Sequence, residues 1–176
     1  MKFHKTPLQD AFVIDLEPFV DDRGAFARGF CQREFEQHGL TTRVAQVNLS
    51  TSKYKGTMRG LHYQVAPHSE AKLVRCIRGS LFDVIVDTRR ESETFGKWFG
   101  AELTAENGKA MYVPEGFAHA ILTLEDDTQA IYQASNFFHP EAERGIRFDD
   151  PNVKIQWPIE PTTVSDKDRN WPDFDL

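Results

Sequence analysis

The sequence consists largely of short runs of β-branched and aromatic residues, separated by turn-forming residues. The separators include Asp22-Arg-Gly24, Gly79-Ser80, Glu106-Asn-Gly108 and Asp126-Asp127. Many short strands at this spacing are typical of an antiparallel sandwich or barrel. We predict strands at Phe12–Leu16, Arg43–Ser50, Thr57–Val65, Lys72–Ile77, Leu81–Asp87, Lys97–Leu103, Ala110–Val113, His119–Leu124 and Gln129–Asn136.

Signals for helices are confined to two places. The run Gln32–His38 has a helical pattern, and Gly39 stands where a left-handed residue usually ends a helix. A second short helix is predicted near the C-terminus, with Ser165 as its N-cap. Because so little helix separates the strands, the pattern argues against a doubly wound α/β sheet and predicts an all-β fold with a few short helices.

Length and composition are consistent with a single domain over residues 1–176, since no linker, repeat or low-complexity tract divides the chain. The 14 phenylalanines favour a β-rich core or an aromatic-lined pocket. A net charge of -6 argues against general binding to nucleic acid or to an anionic membrane surface.

Targeting signals are not evident in the sequence. The N-terminal residues lack an apolar signal core, and no apolar run approaches the roughly 18–20 residues of a membrane span. Cys31 and Cys76 match neither metal-ligand spacing nor a disulfide framework. We therefore expect a reduced, cytoplasmic protein.

The segment Gly56–Gln64 contains two residues with useful chemistry, Arg59 and His62. Histidine can take a proton near neutral pH, and a nearby arginine can hold an anion. Strand alternation places these two side chains on opposite faces, unless Gly60 permits a bulge. Taken alone, the segment is equally consistent with a half-buried strand that carries one hydrogen-bonded histidine.

The spacing of Gly108, Pro114, Gly116 and His119 resembles the second motif of the cupin superfamily of small jelly-roll barrels. This resemblance implies a cupin jelly-roll barrel in which His119 points inward from the strand after a tight turn.

The first cupin motif is only half present. Gly56 and His62 fit it, but Gln64 stands where a second histidine belongs, and Glu70 lies too far downstream to be the usual acid. A catalytic metal usually needs three protein ligands, and only His62 and His119 remain. We expect no metal here, and interpret the two histidines as part of a proton-transfer or binding pocket.

An ordered series of segments, from about residue 10 to residue 172, closely resembles the nucleotide-sugar 3,5-epimerases. The segments are Asp22–Phe26, Gln46–Ser50, Arg59–Gln64, Lys72–Gly79, Asp83–Arg89, Thr94–Trp98, Val113–His119, Asp149–Pro151, Trp157-Pro158 and Ser165–Asp168. The resemblance implies inversion at C3 and C5 of a nucleotide-linked 4-keto-6-deoxy sugar, without a cofactor. The best-known members of the family act on dTDP-4-dehydro-6-deoxy-D-glucose, so the resemblance implies a dTDP-linked substrate. It also implies a homodimer that exchanges N-terminal strands.

The same resemblance assigns roles to residues. His62 matches the base and Asp168 the carboxylate that orients it; Tyr132 matches the acid on the opposite face, and Lys72 the cation near the enolate oxygen. Without the resemblance, Asp168 would be read as a solvated helix residue and Tyr132 as a core aromatic. The implied substrate contacts are Arg23, Arg28, Arg59, Gln46, Asn48, His119, Phe19, Phe26, Glu143 and Lys167. Arg75 is a further candidate for the cation cluster.

Two positions depart from the family pattern. Arg28 replaces a glutamate near the nucleotide; because arginine only donates hydrogen bonds, it suits cytosine acceptors, and we hypothesise a CDP-linked substrate as an alternative to the dTDP-linked one. Equally, Arg28 can turn toward phosphate or solvent. Phe138 stands where a tyrosine is common, so reaction at only one carbon is a second alternative.

Other functions are also compatible with this sequence. A metal-dependent cupin oxygenase, a 3,4-ketoisomerase and a non-catalytic nucleotide-sugar-binding barrel all fit the predicted fold. Metal content, product identity and tolerance of the change His62→Ala distinguish them from an epimerase.

Overall fold

Antiparallel strands are the main regular structure of the computed structural model, which describes Met1–Leu176. The strands are β1 Lys2–Lys5, β2 Phe12–Asp15, β3 Phe19–Asp21, β4 Gly24–Phe26, β5 Gln46–Ser52, β6 Met58–Gln64, β7 Lys72–Arg78, β8 Ser80–Asp87, β9 Trp98–Thr104, β10 Ala110–Val113, β11 Phe117–Thr123, β12 Thr128–Ala134 and β13 Glu143–Gly145. The helices are α1 Gln32–Gln37 and α2 Asp166–Arg169, with a 3-10 turn at Pro140–Ala142.

The strands form two main sheets. One has six strands in the order β1-β2-β10-β7-β12-β5, and the other has five in the order β13-β6-β11-β8-β9. Strands β3 and β4 form a separate hairpin that joins neither sheet. The predicted all-β, jelly-roll-like fold is confirmed.

The main core lies between the two sheets, because both contribute alternate side chains to one apolar cluster. Val74 and Met111 come from the six-stranded sheet, and Leu81, Ile85 and Phe117 from the five-stranded sheet. Side chains that alternate with these pack on the outer faces, which is the two-residue period expected of strands.

Both outer faces are partly covered by other segments. Phe35 of α1 packs on the outside of the six-stranded sheet with Ile14 and Leu73. The chain after β13 covers the five-stranded sheet through Ile146 and Val153. This arrangement explains why strand β8 is buried along almost its whole length.

The predicted strands are all present, with ends shifted by a few residues. Four short strands, β1, β3, β4 and β13, were not predicted, because three or four mostly exposed residues show no clear alternation. Gly39 has a φ of 71° after α1, and the Ser165 hydroxyl accepts a hydrogen bond from the Asp168 amide at the start of α2. Both predicted helix ends are therefore confirmed. No helix is long and apolar enough to cross a membrane.

Candidate active site

A cavity of about 750 Å³ opens between the two sheets. A smaller space of about 400 Å³ adjoins it, and the two share His62, Lys72 and Tyr132 as lining residues. The predicted residues in the larger space are Arg59, His62, Lys72, His119, Tyr132, Lys167 and Asp168. Those in the smaller space also include Gln46, Asn48 and Glu143. Most of the predicted site thus lies around one cavity.

A bulge at Gly60 brings Arg59 and His62 to the same cavity. His62 pairs with His119, whereas Arg59 pairs with Ile121, so strand β6 has one more residue than β11 over this stretch. Simple alternation, which places Arg59 and His62 on opposite faces, is therefore wrong here, and the bulge alternative is correct. The Arg59 guanidinium donates to the Ser52 hydroxyl at 3.2 Å and to the Thr51 carbonyl at 3.3 Å, which fixes it at the cavity wall.

His62 and Asp168 form a close pair, although they are 106 positions apart. His62 Nε2 lies 2.5 Å from Asp168 Oδ1, which leaves Nδ1 free to accept a proton. The approach depends on the chain before α2, where the Met58 amide donates to the Thr163 carbonyl at 2.8 Å. The Ser165 cap then turns α2 so that the Asp168 side chain is buried beside β6.

The surroundings of Asp168 favour its ionised form. Burial by itself raises the pKa of this carboxyl. The hydrogen bond and charge of His62, together with hydrogen bonds from the Gly60 amide and the Ser165 side chain, outweigh burial and lower the pKa below its usual value. Asp168 is therefore a carboxylate at neutral pH, able to orient the imidazole and to stabilise its protonated form.

Tyr132 and Lys72 face His62 from the other sheet. Tyr132 lies on β12 and Lys72 on β7, both in the six-stranded sheet, whereas His62 lies in the five-stranded sheet. Burial, and next the charge of Glu70, raise the pKa of Tyr132, while Arg59 acts in the opposite direction. Tyr132 is therefore a protonated phenol at neutral pH, and it lies across the cavity from the His62 imidazole.

The smaller space is lined by polar side chains. Asn48 pairs with Tyr132 across β5 and β12, and the Gln46 side-chain oxygen Oε1 accepts from the Phe138 amide at 2.9 Å. Lys167 Nζ lies 2.5 Å from Glu143 Oε2. These groups are suited to hydroxyl and phosphate oxygens of a polar ligand.

Four predicted substrate contacts lie outside the cavity of their own chain. Phe19 and Phe26 stand on the β3–β4 hairpin with 78% and 73% exposure. Arg23 pairs with Asp21 at 2.6 Å, and the exposed Arg28 pairs with Glu34 at 3.0 Å. None of these four side chains lines either space.

The prediction that Arg75 joins the cation cluster is wrong. Arg75 alternates with Val74 and Cys76, which point into the core, so it points to the outside of the sheet. Its guanidinium donates to the carbonyls of Gly108 and Gly29, and burial lowers its pKa.

Comparison with known proteins assigns the chain to a family. Residues 5–175 match the family described as dTDP-4-dehydrorhamnose 3,5-epimerase. The Shigella flexneri protein of that name is 43% identical over 175 residues, which is 99% of this chain and 96% of the relative. The chain belongs to the dTDP-4-dehydrorhamnose 3,5-epimerase family. It is accordingly an isomerase, and its resemblance to these epimerases is confirmed.

Solved structures support the same family. The crystal structure of dTDP-4-dehydrorhamnose 3,5-epimerase from Elizabethkingia anophelis has a TM-score of 0.96 at 42% identity, covering 99% of this chain and 96% of that one. A 3'-monoepimerase from Streptomyces bikiniensis, in complex with dTDP-quinovose, has a TM-score of 0.89 at 36% identity, covering 97% and 86%. The epimerases that share this fold therefore include one whose name, 3'-monoepimerase, refers to reaction at a single carbon.

Two acids that pair with cavity residues of this epimerase were not predicted as site residues. Asp83 is fully buried, with Oδ2 2.8 Å from His119 Nε2, while its Oδ1 has no partner. Glu70 Oε1 lies 3.0 Å from Lys72 Nζ. Asp83 could have been found from the sequence, because it is a charged residue inside the largely apolar run Leu81–Asp87. Glu70 lies in the loop between β6 and β7, and nothing in the local sequence indicates its pairing.

Proposed function

We propose that this epimerase inverts C3 and C5 of dTDP-4-dehydro-6-deoxy-D-glucose during deoxysugar synthesis, without a cofactor. The observation that carries the proposal is the placement of His62, which is paired with Asp168, and of Tyr132 on opposite sheets across one cavity. Epimerisation needs a base on one face of the sugar ring and an acid on the other. The family assignment supports the substrate class.

Each carbon is inverted by removing a proton and returning one from the other face. His62 takes the proton from the carbon next to the C4 ketone, and the electron pair moves onto the ketone oxygen as an enolate. Lys72 and Arg59 stabilise that oxygen and the nearby anionic groups. Tyr132 donates its proton to the opposite face of the carbon, and Asp168 holds the imidazole in position.

The nucleotide is proposed to be dTDP. The relatives' names refer to dTDP sugars, and the Arg28 side chain is already paired with Glu34. A CDP-linked sugar remains the alternative, because the guanidinium of Arg28 only donates hydrogen bonds and so suits cytosine acceptors. To reach a base, Arg28 must first leave its ion pair with Glu34. Turnover of the dTDP and CDP substrates by the same preparation distinguishes the two.

The whole chain is proposed to act as one domain in a homodimer. A family match over residues 5–175 supports the single domain. The exposed hairpin β3–β4 supports the dimer, because Phe19, Arg23 and Phe26 line neither space of their own chain and are free to reach the cavity of a second subunit. The site of one subunit is then completed by the hairpin of its partner.

Deuterium exchange in heavy water tests the reaction directly. We expect deuterium at both C3 and C5 of the 4-keto sugar with the unaltered protein, and a loss of at least 100-fold in the exchange rate with His62→Ala. His4→Ala, which removes an exposed histidine paired with Asp15, is the matched control and keeps full exchange.

The outcomes separate the alternatives. Exchange at one carbon only identifies a monofunctional epimerase, for which Phe138 at the rim of the smaller space is the candidate cause. No exchange with either nucleotide, together with nucleotide-sugar binding that survives His62→Ala, identifies a binding barrel and overturns the proposal. Full exchange by His62→Ala removes His62 from the role of base.

A further inference from the structure

Three side chains with metal-binding groups meet outside the cavity, at the turn after β6 and the 3-10 turn before β13. His68, His139 and Glu141 each place a ligand atom within 4.8 Å of the other two. The rings of His68 and His139 stack with centroids 3.7 Å apart, and His139 Nδ1 lies 3.2 Å from Glu141 Oε1. Neither the proposed reaction nor the cupin motifs use these residues.

The buried side chain of Gln64 holds the two histidines together. Its amide nitrogen donates to the His68 carbonyl at 2.9 Å, and its amide oxygen accepts from the His139 amide at 2.6 Å. It also donates to the Phe137 carbonyl at 3.1 Å. Gln64 is only 3% exposed, so the two backbone segments are fixed relative to each other before any ligand arrives.

The three groups match the ligands that a zinc-like divalent ion prefers. Zinc is bound by imidazole nitrogen and carboxylate oxygen at about 2.0–2.2 Å, which places tetrahedral ligand atoms about 3.3 Å apart. The pair His139 Nδ1 and Glu141 Oε1 is already at that separation. Rotation of the stacked rings about their Cβ–Cγ bonds is the remaining adjustment, because both nitrogens must point to one ion.

We propose that His68, His139 and Glu141 form a binding site for a zinc-class divalent ion, in which water completes the coordination. Such an ion would join the turn at residues 65–68 to the segment at residues 137–142. The second segment includes Phe138, which lines the smaller space of the catalytic cavity. The site is independent of the chemistry proposed for His62, and the expectation that the cavity itself needs no metal is unaffected.

Calorimetric titration of tag-free, chelator-treated protein with zinc chloride tests the site. We expect one ion per chain, and an affinity at least tenfold weaker in both His68→Ala and His139→Ala. Glu141→Gln, which keeps the size of the side chain, should weaken binding by a smaller factor. His4→Ala is the control for an exposed histidine with a carboxylate neighbour and should bind as the unaltered protein does.

Thermal unfolding provides a second readout, because an ion that binds only the folded chain raises the midpoint of unfolding. The rise should disappear in His68→Ala and His139→Ala, whose midpoints without zinc report whether they fold. Binding that is unchanged in both variants, or no binding by the unaltered protein, overturns the proposal. Binding that is lost instead in His62→Ala also overturns it, by locating the ion in the catalytic cavity.

Discussion

Glu70 was not predicted as a site residue, but it acts on both Lys72 and Tyr132, two residues of the proposed chemistry. Its carboxylate pairs with Lys72, and both side chains are nearly buried, at 11% and 12% exposure. The pair partly neutralises the cation that is proposed to stabilise the enolate. The same carboxylate is the second contribution, after burial, that raises the pKa of Tyr132.

We predict that Glu70→Gln lowers the pKa of Tyr132, because it removes a negative charge that disfavours the phenolate. Tyr132 must be protonated to act as the acid, so activity should fall at a lower pH on the alkaline side than it does in the unaltered protein. The pH dependence of kcat for deuterium exchange measures this shift.

Glu106→Gln is the matched control for Glu70→Gln, because Glu106 is exposed and lies outside the cavity. The fall of its kcat at alkaline pH should coincide with that of the unaltered protein. If the alkaline fall of kcat stays in place or moves to higher pH in Glu70→Gln, then Glu70 does not act on Tyr132.

At the level of elements, the bulge in β6 decides whether Arg59 and His62 share a cavity. It depends on Gly60, which has a φ of 120°. A Cβ there would lie 2.5 Å from the His119 carbonyl oxygen and 2.7 Å from the Ala120 Cα, both in the neighbouring strand β11. Backbone atoms of a central strand cannot move aside cheaply, so glycine is required.

Gly60→Ala is therefore predicted to destabilise the fold by about 1–3 kcal/mol from backbone strain alone, with the clash against β11 in addition. Exchange activity should fall as well, because relief of the clash displaces His62 or His119. Urea unfolding and deuterium exchange measure the two effects. Gly29→Ala is the control, since a Cβ there meets open space, and it should change both quantities little. Equal stability of the two variants would contradict the need for glycine at the bulge.

The same elements explain how far the sequence alone predicts the fold and the site. Two-residue periodicity and turn residues give the longer strands, and Ser165 correctly indicates the start of α2. The contact between His62 and Asp168 cannot be predicted from the sequence around either residue. It depends on two features together, the β-bridge between Thr57 and Thr163 and the Ser165 cap of α2. Family resemblance supplied Asp168, whereas the pairing of Glu70 with Lys72 required the three-dimensional structure.

Considered as a whole, the molecule exposes apolar side chains that a second copy can cover. Phe19, Val20 and Phe26 are exposed on the hairpin. Val47 and Leu49 are exposed on β5, which forms an edge of the six-stranded sheet. Exposed edge strands and clustered apolar side chains are common features of subunit interfaces. With a net charge of -6, the protein must also gather its cations locally to hold the proposed diphosphate, and Arg23 on the hairpin is proposed to be one of these cations.

If the hairpin completes the partner's cavity, two inactive variants should restore activity when they are combined. In a mixed dimer of His62→Ala with Arg23→Ala, one cavity has an intact His62 from its own subunit and an intact Arg23 from the other subunit. When equal amounts of the two variants pair at random, half of the dimers contain one subunit of each kind. Each of these dimers has one intact site out of two, so the total activity should reach about a quarter of the unaltered value. Co-expression of the two variants followed by an exchange assay measures this recovery, and light scattering verifies the dimer. If Arg23 serves its own cavity instead, co-expression gives no more activity than the two variants measured separately, because every cavity then lacks either His62 or Arg23.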